Sequence, residues 1–120
     1  LEVSQGRQPC WKLDDRFTQP GVARTMQHSG RTGWYYRVLE EGVIEAGQPV
    51  TLVERPFPDW SIRRLADLLF NRTLDGPWLR DALRLPLPPS WQRLIAHRIE
   101  KAEVESWSRR LDGPSPAADA

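Results

Sequence analysis

Only one cysteine, Cys10, occurs in the 120 residues, so no disulfide can form within the chain and a reducing cytoplasm is the expected setting. No apolar run approaches the roughly 20 residues that a membrane-spanning helix needs, which argues against a helical span. A basic-then-apolar leader is also lacking. Position 1 holds Leu1 rather than Met, so the chain is expected to be processed or to be an excerpt of something longer. Neither charge dominates: residues 1–60 hold seven Lys/Arg against eight Asp/Glu, residues 61–120 hold ten against eight, and the net charge is +1. That near balance makes a dedicated nucleic-acid binder a poor reading. The two histidines, His28 and His97, have no second His, Cys or carboxylate at ligand spacing and read as ordinary surface or core residues.

What is present is the composition of a soluble globular chain, 39% apolar and 28% charged. Two kinds of periodicity meet near residues 55–60. Residues 1–55 read as strands and turns: the end of a strand at 1–5, a cysteine-bearing loop at 6–13, and one or two helical turns at 20–29 stopped by Gly30. An aromatic strand follows at 33–39. Turn signals at 40–42 and 47–49 then bracket a short strand at 43–45, and a further strand is predicted at 50–54. Short strands with both faces partly apolar suggest a barrel or sandwich, yet three or four of them cannot close a barrel.

Residues 56–60 form a stiff proline-rich linker. A small three-helix domain is predicted over 61–112. Its first helix is capped by Asp59 or Ser61, with an apolar stripe of Ile62, Leu65, Leu68 and Leu69. The second opens at Asp75-Gly76-Pro77 and buries Trp78, Leu79, Ala82 and Leu83. The third, capped by Ser90, runs from Trp91 to about Arg110, with Trp91, Leu94, Ile95, Ile99 and Ala102 inside and a Glu105–Arg109 pair along its surface. Arg63, Arg64, Arg80, Arg84 and Arg93 fall on outer faces. Residues 113–120 read as a mobile tail. Six tryptophans invite a base-stacking interpretation, but Trp78 and Trp91 lie on helix stripes and are most simply core.

The segment richest in chemistry is Arg7-Gln8-Pro9-Cys10-Trp11-Lys12-Leu13. A thiol becomes a metal ligand or nucleophile where nearby positive charge favours its thiolate, and Arg7 and Lys12 flank Cys10. The same cations are suited to gripping a cofactor phosphate. The plainer alternative is a strand-to-loop crossing with a buried cysteine and two solvated cations. For Arg31, set between Gly30 and Gly33, the choice is between facing a pocket and standing as a solvated turn residue.

Three stretches together resemble a known family. Gln8-Pro9-Cys10-Trp11-Lys12-Leu13, then Ser29-Gly30-Arg31-Thr32-Gly33-Trp34-Tyr35-Tyr36-Arg37-Val38-Leu39, then Gly42-Val43-Ile44-Glu45-Ala46-Gly47 look like the second half of a MOSC domain, the module named for the C-terminus of molybdenum cofactor sulfurases. Residues 54–61, the helices and Pro89-Ser90-Trp91 are similar to the 3-alpha domain that follows MOSC in the YiiM-like branch. The resemblance implies an α+β chain: a partial MOSC β-barrel (its C-terminal half) over residues 1–55, followed by a small three-helix domain. It implies that Cys10 ligates the molybdenum of the molybdopterin cofactor, with Arg7, Lys12 and Arg31 as candidate cofactor contacts. Nothing points to pyridoxal phosphate.

For function, the resemblance implies a reductase of N-hydroxylated small molecules such as hydroxylamino purines, a detoxification of base analogues, supplied with electrons by a flavin or iron–sulfur protein. The alternative is a non-catalytic carrier of cofactor or sulfur, or an interaction module. The barrel's early strands have no counterpart in these residues, so the substrate-facing groups are not among them and the chain alone is expected to be an incomplete enzyme.

Overall fold

The computed structural model describes residues 1–71 and 74–114. Two strands, β1 (Glu2–Gly6) and β2 (Trp34–Arg37), pair antiparallel, with Glu2 opposite Arg37, Val3 opposite Tyr36, Gln5 opposite Tyr35 and Gly6 opposite Trp34. The register slips between Val3 and Gln5, where the Ser4 hydroxyl donates to the Tyr35 carbonyl at 3.2 Å. Two short helices lie between the strands, α1 (Lys12–Phe17) and α2 (Val22–Ser29). The expected loop at 6–13 is thus shorter than predicted, because Lys12 and Leu13 already belong to a helix. Gly30 ends α2 in the left-handed region with φ 69°, as its position after the last helical turn implies.

Among the described residues the expected partial barrel is represented by this two-stranded sheet alone and is not closed. The strands predicted at 43–45 and 50–54 do not form. A strand is held by backbone hydrogen bonds to a neighbour, and among the described residues neither segment has a ladder partner. Their apolar side chains are accordingly left in solvent: Val43, Ile44, Val50 and Val53 are each more than 80% exposed. The turn between them is real. Gln48 N donates to Glu45 O, Glu45 N donates back to the Gln48 side chain, and Gly47 takes φ 88°.

The buried core belongs to the helical module. Helix α3 (Ile62–Phe70) starts at Ser61, whose hydroxyl accepts from Arg64 N at 3.1 Å, and α4 (Gly76–Ala82) starts at Asp75, whose carboxylate accepts from Trp78 N at 3.0 Å. Leu65, Leu68, Leu69, Phe70, Leu79, Ala82, Trp91 and Ile95 interlock as one cluster. In α4 only half of the expected stripe is inside: Leu79 and Ala82 are buried, whereas Trp78 and Leu83 stay partly exposed. Trp78 has another task. The Arg64 guanidinium sits in the corner formed by the edge-to-face Trp60 and Trp78 rings, 4.4 and 4.8 Å from their centroids, so Arg64 packs on aromatic rings and is not an outer-face cation. Trp60 also donates its indole N–H to Asp81 at 2.8 Å, which pins the proline-rich linker to α4 and holds the Asp81 carboxyl below the ordinary range, with Arg84 assisting.

The third long helix is shorter than its periodicity predicts. Helix α5 (Pro89–Lys101) begins one residue ahead of Ser90, with Pro88 at the N-cap position, and stops where Ala102 turns left-handed at φ 52°. A separate short helix, α6 (Ser108–Asp112), follows and ends at Gly113. Glu105 does not pair with Arg109 along one helix. It reaches back to Arg98, whose wholly buried side chain also donates to the Leu68 and Leu69 carbonyls at 2.9 and 2.6 Å. The chain leaves the helical path because that buried guanidinium needs a counter-charge. The tail expected to be mobile lies, beyond Pro114, outside the described residues.

Candidate functional site

Cys10 sits half-buried in the loop between β1 and α1. Pro9, buried beside it, fixes its own φ and contributes no N–H, so the loop must be held by its neighbours. On the strand side Arg7 N donates to Gly33 O at 2.9 Å. That bond ties the cysteine loop to the Ser29–Gly33 turn, so two motifs separated by some twenty residues of sequence stand side by side. On the helix side Leu13 N donates to Cys10 O and Asp14 N to Trp11 O, opening α1 immediately after the thiol.

The predicted cations are placed as follows. Arg7 is exposed and directs its guanidinium toward the Tyr35 ring, 5.8 Å from the centroid. Lys12 is exposed at the first position of α1, two residues from Cys10. Arg31 is exposed in the turn that Gly33 shares with Arg7. Beside it Thr32 is 4% exposed and its hydroxyl donates to Gly33 O, fixing that turn from within. Arg7 and Arg31 are therefore gathered on the two adjoining loops, and Lys12 follows on the helix that the thiol precedes. His28 and His97 are both exposed.

Three supporting residues were not singled out from the sequence. Asp14 takes the role of a cap for α2 from a distance: its two carboxylate oxygens accept from Gly21 N at 2.6 Å and Ala23 N at 2.8 Å. The Ala23 and Gly21 N–H groups hold its carboxyl below the ordinary range, with the Arg24 charge adding to them. The other two come from α6. Arg110 donates through its guanidinium to Gln8 O at 2.7 Å and Pro9 O at 3.0 Å, and its own carbonyl accepts from Trp11 N at 2.8 Å. Asp112 accepts three charge-assisted bonds from Arg24 on α2, at 3.0, 2.5 and 2.6 Å. Gly113 lies so close to the Trp11 indole that an added Cβ would sit 3.3 Å from it. No local pattern marks these contacts, since their partners lie 88 to 102 residues away.

Residues 1–51 match the MOSC domain, and residues 60–102 match the YiiM-like, 3-alpha helix domain. The protein YiiM of Escherichia coli is 33% identical over 114 residues, 94% of this chain and 50% of that protein. A protein of Gibberella moniliformis named a reductase is 34% identical over 102 residues, 85% of this chain and 18% of its own length. The crystal structure of Escherichia coli YiiM superimposes with a TM-score of 0.85 at 34% identity, covering 91% of this chain and 54% of that one. This chain therefore spans about half the length of YiiM or less of the relatives it matches. A MOSC match that carries the cysteine loop, followed directly by the 3-alpha module and seen again in a superimposable crystal structure, means that the chain belongs to the YiiM-like family of MOSC proteins.

Proposed function

We propose that this chain is the cysteine-bearing part of a molybdenum-cofactor reductase acting on N-hydroxylated small molecules, in a reducing cytoplasm. One observation carries the reading: a half-buried cysteine stands in a braced loop, joined by the Arg7–Gly33 bond to a second loop bearing Arg31. Among the described residues no cluster of three or more His, Cys, Asp or Glu gathers around a common point. The donor that remains is a single soft sulfur, that of Cys10, with Arg7, Lys12 and Arg31 on the adjoining loops and helix. A bare zinc ion, which takes three or four protein donors, does not suit such a set. A metal carried on its own organic dithiolene, needing one further thiolate and cations for a phosphate, does.

In this reading Cys10 holds the metal, and Arg7, Lys12 and Arg31 are the candidate partners of the cofactor's phosphate. When bound, the molybdenum cofactor supplies two-electron chemistry, in which two electrons and two protons convert an N–OH group to N–H and release its oxygen as water. The electrons come from a flavin or iron–sulfur protein. Support from relatives is the MOSC match itself and the reductase name of the Gibberella protein. The part of the chain described here contributes the thiol, its cations and their bracing. Substrate recognition is assigned to residues outside it.

The test is made on the polypeptide that carries these residues, as its source produces it, purified under reducing conditions. The reading expects about one molybdenum per protein and reduction of a hydroxylamino purine when a reduced flavin protein is added. Metal without turnover points instead to a cofactor carrier. Absence of both overturns the proposal.

A further inference from the structure

We infer that Arg110, on the last helix of the chain, is the positioning residue for the cysteine loop: it sets the direction in which Cys10 presents its sulfur. The inference rests on the reading of Cys10 as the metal ligand. Residues 8, 9 and 11, which surround Cys10 on both sides, are all bonded to this one arginine. Its Nε donates to Pro9 O at 3.0 Å, a terminal nitrogen donates to Gln8 O at 2.7 Å, and its main-chain carbonyl receives Trp11 N at 2.8 Å.

Two consecutive carbonyls turned toward one point repel each other unless a donor with more than one N–H sits between them. A guanidinium is planar and presents its donors as a rigid fork, which a flexible ammonium does not. Because Pro9 has no N–H, the loop has fewer ways than usual to fasten itself locally. The support under Arg110 is firm. Leu111 beside it is buried, and Gly113 takes φ 86° against the Trp11 indole. Helix α6 therefore links the helical module to the cysteine loop, and a residue about 100 positions downstream governs the thiol.

The experiment follows alkylation of Cys10 by iodoacetamide, read by peptide mass spectrometry, in the whole polypeptide carrying this chain. Arg110→Ala and Arg110→Lys are compared with the unaltered protein and with Arg24→Ala, which frees α6 from α2 but touches no residue of the loop. Lysine keeps the charge and loses the fork, so a change in that variant reports position, and it carries the test if the alanine variant does not fold. Both Arg110 variants are expected to alkylate Cys10 roughly fivefold faster, the change that loss of about one hydrogen bond's worth of local stability produces. Arg24→Ala is expected to stay within about twofold of the unaltered rate. An unaltered rate in Arg110→Lys, or an equal rise in Arg24→Ala, overturns the inference. Molybdenum content is measured in parallel. A metal-free unaltered protein defeats the cofactor reading while the alkylation rates still decide the role of Arg110.

Discussion

Arg98 and Glu105 form a two-point ion pair, at 3.0 and 2.5 Å, in which the arginine side chain is fully buried and the glutamate remains partly open to water. The pair folds the chain back after Lys101 and delivers α6 to the cysteine loop. Removal of the arginine strands the Leu68 and Leu69 carbonyls as well as the carboxylate. We predict that Arg98→Ala costs about 3 kcal/mol in urea denaturation. A loss below about 1 kcal/mol contradicts this account of the turn.

Asp14 makes stability depend on acid. Its carboxyl is held low in the folded chain by the Ala23 and Gly21 N–H groups, so the stabilisation is complete above the unfolded carboxylate value and fades as pH falls through the lower folded one. Asp14→Asn should be less stable than the unaltered chain by a constant margin near neutrality. That margin should shrink once the pH drops below about 4. Thermal melts at a series of pH values measure it, and a margin unchanged into strong acid refutes the capping role.

The Trp60–Arg64–Trp78 cluster, with the Arg64 guanidinium donating to Asp59 O at 2.8 Å, ties the linker to the helices. Arg64→Ala should weaken the module by about 1 kcal/mol and make the 56–60 segment exchange its amides faster, as hydrogen exchange would record. Arg63→Ala, next in sequence but exposed, should change neither. Equal effects from the two variants would show that these Arg64 contacts contribute little.

Elements with local instructions were legible in the sequence: β1 and β2 by their pattern, α2 by its glycine stop, α3 and α4 by Ser61 and Asp75. The failures share a physical cause. Residues 43–45 and 50–54 have strand composition, but a strand exists only beside another. Ala102 is a good helix former, yet the demand of the buried Arg98 for Glu105 overrides its propensity. Arg98 was visible in principle, as a cation on the stripe that Trp91 and Ile95 begin. Helix α1 is six residues long and has no side-chain cap or apolar stripe to announce it. Of the candidate site, Cys10 and the cations Arg7, Lys12 and Arg31 could be named from local sequence, whereas Arg110 and Asp112 act through the fold alone.

The measurement closest to the central claim is the molybdenum content of Cys10→Ala, set beside the unaltered protein and Arg63→Ala in the whole polypeptide. Among the described residues Cys10 makes only a backbone turn bond in its loop, so the alanine variant should keep its melting temperature within a few degrees. The account predicts metal in the unaltered protein and in Arg63→Ala, and loss of both metal and reductase activity from Cys10→Ala. A Cys10→Ala protein that retains full metal and normal turnover would contradict it.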